Sequence, residues 1–327
     1  MMLLKRKFVI SLLIFGLVSL VVVVLSTFLG VPLINVHRAF LDTHSVEADL
    51  LFRARLPRIL LAFVVGGSLS VSGLSFQCLL RNPLADPYVL GVSGGAALGS
   101  VVGLVLGVPY VGLVLLSFAS GLISLVLIYL MAQRAGVLVV HNLLLSGVIF
   151  NAFSFALILL INALSTSGEI QQIFYVLVGS VEAVNWEQFT LLSLFVLIGF
   201  VLILSVSKSM NALLLGEEAA HHLGVSVDTV KRCVFMGASL MVGASVSIAG
   251  LVGFVGLFVP HMMRLLWGND LRLQLPLTFL GGGIFLVSCD YLVRLLFGLG
   301  FVSSQLPVGV VTALIGGPFF FYLLKRR

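Results

Sequence analysis

The chain has 327 residues, of which 60% are hydrophobic and 9% are charged. A soluble protein of this size could not cover its surface with so few polar side chains, so the composition excludes a soluble enzyme or binding module and indicates a polytopic membrane protein. The formal net charge of +6 does not indicate nucleic-acid binding, because the basic residues are scattered between apolar segments.

Ten apolar segments follow one another along the chain, and two of their boundaries need a physical argument. The uncharged stretch between Asp86 and Arg134 is about twice as long as one bilayer crossing at ~1.5 Å per residue, and Gly107-Val108-Pro109 divides it. The uncharged stretch 233–263 is also too long for one crossing, and its glycines mark a bend. The predicted spans are 8–29, 59–80, 88–107, 110–132, 143–163, 189–207, 233–250, 251–263, 275–296 and 306–324.

The distribution of positive charge predicts the topology. The N-terminal K-R-K precedes an apolar run that is too long for a signal peptide and has no A-x-A cleavage site after it, so we interpret it as a retained first span. With ten spans and a cytoplasmic N-terminus, thirteen of the 18 lysines and arginines fall inside and five outside, which satisfies the positive-inside rule. A single span over 233–263 would place the final K-R-R outside. We therefore predict that both termini are cytoplasmic.

The segment from Arg53 to Gly107 has polar groups at the two ends of a span, as a gated pathway would need. Three arginines precede the apolar run 59–80, which ends in a polar turn, Arg81 to Pro87, that contains two prolines. The next run has a glycine at every fourth residue from 91 to 107, so one helix face is small enough to approach a neighbouring helix closely in lipid.

Two loops have sequence patterns that predict structure of their own. The semi-apolar outer segment 170–181 is too short to span and predicts a surface or re-entrant helix, with Trp186 at the membrane interface. The cytoplasmic segment 208–232 is polar and contains E-A-A-x-x-x-G, which predicts a short helix that ends at Gly224 and a second short helix from Ser226. This pattern fits either a helical knob that docks on a partner or an ordinary solvated loop. Residues 1–327 are predicted to form one transmembrane domain.

Several motifs, in order over nearly the whole chain, resemble those of the FecCD-type permeases. They are R-L-P-R before a span, N-P-L-A-D-P followed by L-G-V-S-G-G-A, E-A-A-x-x-x-G, G-F-V-G-L-F-V-P-H-M-M-R-L, and L-P-V-G-V-V-T-A-L-I-G-G-P-F-F. That family comprises the membrane subunits of type II ATP-binding cassette (ABC) importers for iron-siderophores, haem and cobalamin.

The resemblance implies an all-α, BtuC-like permease fold with ten transmembrane helices in a bacterial cytoplasmic (inner) membrane. It implies a homodimer in membrane lipid, two separate ATPase subunits below it, and a periplasmic or lipid-anchored substrate-binding protein above it. The chain has no G-x-x-x-x-G-K-[ST] motif and cannot itself build a P-loop. ATP and Mg would therefore bind to the partner ATPase, and this chain is expected to have no cofactor, no catalytic residue and no nucleic-acid partner.

The resemblance also implies roles for four groups of residues. The ATPase-coupling residues are Glu218, Ala219, Ala220 and Gly224; the residues that dock the binding protein are Arg55, Arg58 and Arg294; the cytoplasmic gate residues are Asn82, Leu84, Val140 and His141; the pathway-lining residues are Asn151, Ser154 and Thr312.

Alternatives stay open for three of these groups. Instead of docking a partner, the arginines could be interfacial anchors. For Arg294, a second alternative is a pair with Asp290 one helical turn earlier. Val140 and His141 depart from the family, which commonly has small hydroxyl residues there, and a lone interfacial histidine is more often simply solvated. The pathway residues would equally make hydrogen bonds between helices of one subunit.

Metal binding and two other functions find less support in the sequence. The three cysteines lie in apolar runs and are interpreted as packing residues. No metal site is predicted, because none of the histidines considered has metal-ligand spacing with a carboxylate; these are His37, His44, His221, His222 and His261. A secondary transporter would usually have ionisable residues in mid-span, whereas the middle of each predicted span is uncharged. An intramembrane enzyme would need a Ser-His or paired-Asp arrangement inside the spans, which the sequence does not indicate. The predicted substrate is an iron chelate (a siderophore complex or haem) or cobalamin, with molybdate or tungstate as the alternative.

Overall fold

The structure is a computed structural model that describes residues 2–29, 36–42, 45–88, 90–134, 137–138, 140–181, 186–302 and 306–325. Its helices are α1 (Met2–Phe28), α2 (Val36–Leu41), α3 (Val46–Asp49), α4 (Leu56–Leu79), α5 (Val92–Val105), α6 (Tyr110–Ala132), α7 (Val140–Leu164), α8 (Ser167–Val178), α9 (Trp186–Ser205), α10 (Ser207–Leu213), α11 (Glu217–His222), α12 (Val227–Ala249), α13 (Val255–Trp267), α14 (Leu271–Gly298) and α15 (Val308–Lys325). A π-helical turn, Leu50–Arg55, joins α3 to α4, and a small antiparallel hairpin of β1 (Gln133–Arg134) and β2 (Val137–Leu138) lies between α6 and α7.

Each predicted span corresponds to one of these helices. Within the described residues, 7 helices are long and apolar enough to cross a membrane, and shorter apolar helices lie at Val92–Val105, Val255–Trp267 and Val308–Tyr322. The prediction of a helical, multi-span membrane protein is confirmed. The exact number of ten crossings and the cytoplasmic position of both termini stay predictions.

Helix α4 is the centre of the subunit. It is buried without interruption over 65–79, because α12, α13 and α14 pack around it. Small residues make this possible: a Cβ on Gly66 would clash with the carbonyl oxygen of Gly282, and a Cβ on Gly73 would clash with that of Gly256. In lipid, helices associate through such close backbone approach rather than through hydrophobic burial.

Helices α5 and α13 are too short to cross the bilayer in full. They have 14 and 13 residues, or about 20 Å at ~1.5 Å per residue, against a hydrocarbon core of ~30 Å. Each follows a residue in the left-handed conformation, Gly91 with φ +76° and Phe254 with φ +68°. The irregular backbone before α13 is covered by α8, since the Leu251 N–H donates to the Val176 carbonyl oxygen at 2.8 Å. Non-helical backbone at membrane depth is tolerated where protein buries it.

The outer loop after α7 folds into the helix that the sequence predicts. Helix α8 begins with a capping box in which the Glu169 side chain accepts a hydrogen bond from the Thr166 N–H at 2.7 Å. This hydrogen bond lowers the pKa of Glu169. Trp186 opens α9 and donates from its indole N–H to the Phe52 carbonyl oxygen at 3.2 Å, which joins this layer to the segment before α4.

The polar segment 208–232 differs from the prediction in one respect. A short helix, α11, does end before Gly224, which has φ +77°. The second short helix predicted from Ser226 is instead the first turns of α12, because no glycine or proline interrupts the chain until Gly237 and buried apolar residues continue at Val230 and Val234. The additional short helix of this segment is α10, which precedes α11.

Candidate functional site

A buried ion cluster lies at the end of α4 that is predicted to face outside. Asp290 on α14 is fully buried, and its Oδ1 accepts hydrogen bonds from Arg58 Nη2 at 2.8 Å and Arg58 Nε at 3.0 Å. Its Oδ2 accepts from Arg294 Nε at 2.9 Å. Arg294 Nη1 also donates to the Ser26 carbonyl oxygen at 3.2 Å. A buried carboxylate requires such pairing, and this one joins α1, α4 and α14.

The three predicted docking arginines are therefore brought together, although not on an open surface. Arg55 is 7% exposed and donates from Nη1 to the Thr27 carbonyl oxygen at 3.4 Å. The side chains of Arg58 and Arg294 are 15% and 12% exposed. The alternative role of Arg294, a pair with Asp290 one turn earlier, is present in the structure. Docking of a partner protein stays a prediction, and it is favoured by the composition of this cluster, which has three guanidinium groups and one carboxylate.

The turn after α4 is a Schellman motif with an arginine at its left-handed position. The Asn82 N–H donates to the Gln77 carbonyl oxygen and the Arg81 N–H to the Cys78 carbonyl oxygen, both at 3.1 Å. Arg81 has φ +47°. The Asn82 Oδ1 then accepts from the Leu84 N–H at 3.0 Å, which fixes the next turn and leaves Leu84 40% exposed at its tip.

The gating role of this turn stays a prediction. Its second predicted segment, Val140 and His141, begins α7, and the side chains of both residues lie outside the described part of the chain.

A buried carboxylate supports this turn from inside. Asp86 is 1% exposed, and its Oδ1 accepts from the Tyr88 N–H at 2.7 Å, while its Oδ2 has no partner among the described residues. Burial raises the pKa of Asp86 to about 6, although the Tyr88 N–H acts in the opposite direction. Asn151 on α7 donates from Nδ2 to the Tyr88 carbonyl oxygen. The turn is therefore held by its own carboxylate and by α7.

The predicted pathway residues lie within the subunit. Asn151 is half-buried and makes the hydrogen bond given above, from α7 to the turn before α5, which favours the alternative of contacts within one subunit. Ser154 and Thr312 are fully buried, and the Thr312 hydroxyl donates to the Gly309 carbonyl oxygen of its own helix at 3.0 Å. Their burial favours packing within one subunit over a place on an open pathway.

Gln77 and Arg264 form a polar pair that the sequence analysis did not single out. Gln77 is 2% exposed, donates from Nε2 to the Gly256 carbonyl oxygen at 3.0 Å, and accepts from Arg264 Nη2 through Oε1. The one available signal was an amide side chain inside the otherwise apolar run 59–80. The pair links α4 to both ends of α13.

The polar segment 208–232, called the coupling segment here after its predicted role, forms a compact corner below α4 and α6. Ala220 is fully buried, whereas Glu218 is exposed. Glu217 Oε2 accepts from Lys231 Nζ at 2.8 Å, which fixes α11 to the second turn of α12. A groove of about 910 Å³ runs along this corner and is lined by Arg81, Gly216 to Ala219, Tyr129, His222, Asp228 and Lys231. A charged groove beside an exposed helix is a suitable contact surface for a partner.

The described residues hold no group of three or more His, Cys, Asp or Glu side chains that could bind a metal ion.

Comparison with known protein families identifies the family of this chain. The model of the FecCD transport family matches residues 14–326, which is nearly the whole chain. The chain belongs to the FecCD transport family.

Curated FecCD relatives come from archaea and bacteria. The cobalamin import system permease protein BtuC of Halobacterium salinarum is 42% identical over 84% of this chain and 72% of its own length. The hemin transport system permease protein HmuU of Yersinia pestis is 36% identical over 88% and 86%. The Fe(3+)-citrate import system permease protein YfmD of Bacillus subtilis is 37% identical over 86% and 83%.

Solved structures agree with the family assignment. A protein described as a metal-chelate type ABC transporter in an inward-facing conformation superposes with a TM-score of 0.82 and 29% identity, over 98% of this chain and 100% of the other. PsaBC from Streptococcus pneumoniae superposes with a TM-score of 0.60 at 17% identity over 84% and 92%, and shows the same fold.

Proposed function

We propose that this chain is the membrane-spanning permease subunit of an ABC importer that moves a metal chelate of the cobalamin, haem or ferric-chelate class into the cytoplasm. The observation that carries the proposal is the match of the FecCD family model to residues 14–326. The printed functions of the relatives support the substrate class, since all three described above import compounds of this kind.

The working assembly is a homodimer in the bacterial inner membrane with two ATPase subunits and a substrate-binding protein. The arginine-rich end of α4 would attract an acidic surface of the binding protein, because clustered cations speed and orient association. At the opposite end, exposed Glu218 and the rest of α11 would contact the ATPase subunit. The Glu217–Lys231 ion pair would then carry movement of α11 into α12, whose buried residues pack against α4.

The turn at residues 81–87 is the best-supported position for the cytoplasmic gate. It begins at the end of the central helix, and its backbone is fixed by the Schellman motif, by Asn82 and by Asp86. Most of the polar contacts that hold this turn lie within it, so a gate of this kind would move as a unit with α4 and would displace the Tyr88 carbonyl oxygen from Asn151 on α7. In the transport cycle, this chain would bind, orient and release the metal chelate. Hydrolysis of ATP would take place on the partner ATPase subunit.

Reconstituted transport tests the proposal. The chain is co-purified with an ATPase subunit and a substrate-binding protein from the same organism and placed in proteoliposomes with ATP inside or outside. We expect ATP-dependent uptake of labelled cobalamin, haem or ferric citrate, with one of the three at least about tenfold faster than the others, since specificity is a difference of affinities. Uptake driven by an ion gradient without ATP would contradict the proposal, as would a complex that imports none of the three.

A further inference from the structure

A cavity of about 590 Å³ lies beside the turn that ends α4, between α4, α13 and the start of α14. This volume is in the usual range for small-ligand sites. Its polar lining consists of Gln77, Arg81, His261, Arg264, Asn269 and Gln274, and the remaining lining residues are uncharged. The nearest acid in the sequence, Asp270, is engaged elsewhere: its Oδ1 accepts from Asn211 Nδ2 at 2.8 Å and from the Arg272 N–H at 3.1 Å.

One wall of the cavity presents a buried donor without an acceptor. Gln274 is 1% exposed, and no acceptor in the described part of the chain lies within reach of its Nε2. A buried amide donor that lacks a partner is costly, so native structures rarely retain one without a ligand or water. Gln77 next to it is satisfied, because it binds both Gly256 and Arg264, and through this contact it orients the Arg264 guanidinium.

Arg81 supplies an independent observation. Four helices of the described chain, α4, α5, α11 and α14, end in the same pair of hydrogen bonds, with a left-handed residue at Arg81, Gly107, Gly224 and Gly300. Glycine adopts this conformation without strain, whereas a residue with a Cβ does not. At α4 the strained arginine is retained, which indicates that the guanidinium has a task at this position. Arg81 forms no ion pair with a carboxylate anywhere in the described ranges.

We propose that this cavity binds a phosphate-class oxyanion, held by the guanidinium groups of Arg81 and Arg264 and by the side-chain amide of Gln274. Guanidinium groups suit phosphate oxygens because they donate charge-assisted hydrogen bonds in a planar fork. Either a free phosphate compound or the phosphate of a lipid headgroup offers this chemistry. The proposal goes beyond the transport function and does not depend on which substrate is carried.

A bound oxyanion would connect the predicted gate turn with the groove beside α11. Arg81 begins the predicted gate turn, and it also lines the groove of the coupling segment, where a Cβ at Gly216 would lie 3.5 Å from its Nη1. Gly216 is the N-cap of α11. An oxyanion between Arg81 and Arg264 would therefore hold the gate turn against α13 and restrain the arginine that reaches toward α11.

Thermal unfolding of the purified full-length protein in a phosphate-free detergent tests the site. Inorganic phosphate is titrated against sodium chloride at equal ionic strength, and the apparent Tm is followed by intrinsic fluorescence. Because a ligand that binds only the folded state stabilises it, the wild type should show a saturable rise in Tm. Arg81→Gly should still fold, since it removes backbone strain, but should need at least about tenfold more phosphate for half of the shift.

Two further variants make the result specific. Gln274→Leu keeps the side-chain volume and should also lose the shift, whereas Arg232→Gln, an exposed arginine outside the cavity, should keep the wild-type response. A rise in Tm that is the same in Arg81→Gly and Arg232→Gln would overturn the proposal. The assay involves no transport, so its failure would leave the proposed function untouched.

A second titration distinguishes the sources of the oxyanion. Phosphatidic acid is added to the same detergent solution in place of inorganic phosphate. A shift that depends on Arg81 with inorganic phosphate supports a free cytoplasmic ligand, and one that appears only with phosphatidic acid supports a lipid headgroup. If neither compound gives a shift that Arg81→Gly removes, the cavity is not an oxyanion site.

Discussion

The ends of α4 and α11 have the same backbone and different chemistry. In both, the second residue after the helix is left-handed and two N–H groups return to carbonyl oxygens of the last turn. Helix α11 has Gly224 at this position, and a Cβ there would meet nothing within 4 Å. Helix α4 has Arg81, whose side chain lines both the 590 Å³ cavity beside α13 and the groove beside α11.

The difference separates a geometric requirement from a chemical one. At Gly224 the chain needs only a change of direction, so that α12 starts three residues later in the correct orientation. At Arg81 the chain makes the same change of direction and also positions a cation. The left-handed conformation there costs about 1–2 kcal/mol, because arginine has a Cβ. Substitutions at the two ends should therefore have opposite consequences for stability and for function.

The largest expected effect is that of Gly224→Val. A β-branched residue is strongly disfavoured at positive φ, so the chain should leave α11 in a different direction and disturb the contact with the ATPase. We expect normal amounts of membrane-inserted protein with transport reduced at least about tenfold, and ATP hydrolysis that no longer responds to the binding protein. Uptake into proteoliposomes and ATPase activity, measured on the same preparation, check this.

The matched control for Gly224→Val is Gly73→Val within α4. A Cβ at Gly73 would meet the Gly256 backbone, so this variant should instead lower the yield of folded protein. Wild-type transport by Gly224→Val would show that the α11 turn does not transmit motion.

A smaller effect, on stability rather than on transport, is expected at Asp86 behind the α4 end. Its folded-state pKa of about 6 lies above the ordinary value of 3.8, so the folded state binds the proton more tightly. Proton binding by Asp86 therefore stabilises the folded state, and this stabilisation is fully present below pH 3.8 and is lost as the pH rises through about 6. Asp86→Asn should remove this dependence and raise the apparent Tm at pH 7.5 by several °C, on the order expected for ~1–3 kcal/mol.

The Asp86 prediction is checked by apparent Tm between pH 4 and 8. The difference between wild type and Asp86→Asn should grow with pH, while Asp228→Asn, an exposed acid at the start of α12, should follow the wild type. A difference that is constant over this range would mean that Asp86 does not titrate as its burial predicts.

Gly224→Arg copies the α4 end onto α11 and should have a milder effect than Gly224→Val. There is space for the side chain, and an unbranched residue bears positive φ at a cost of about 1–2 kcal/mol. We expect a decrease in apparent Tm of about 2 °C with most transport retained. Equal loss of transport in the Arg and Val variants would show that Gly224 is needed for partner contact and not only for backbone direction.

The smallest expected effect is that of Arg81→Gly in the absence of phosphate. Relief of the left-handed strain should raise the apparent Tm by about 1–2 °C. A decrease would mean that the arginine side chain stabilises the empty protein, and the contrast between the two helix ends would then rest on packing and not on ligand chemistry.

The sequence alone determined the helical class, the ten apolar segments, the surface helix α8 and the end of α11 at Gly224. These follow from local quantities: hydropathy over a window, charge-free length, glycine and proline breaks. The continuation of α12 from Ser226 was missed, because polarity in its first turns resembles a loop until Val230 and Val234 are seen to be buried.

Tertiary structure decided which polar residues meet. Asp290 and Arg58 are 232 residues apart, and Gln77 and Arg264 are 187 apart, so no local pattern brings them together. The burial of the Ser154 and Thr312 side chains is also a tertiary property, because the neighbouring helices cover these hydroxyl groups. Local sequence sets the direction in which the backbone turns, as at Gly224, whereas the use of a side chain such as Arg81 depends on the helices that pack around it.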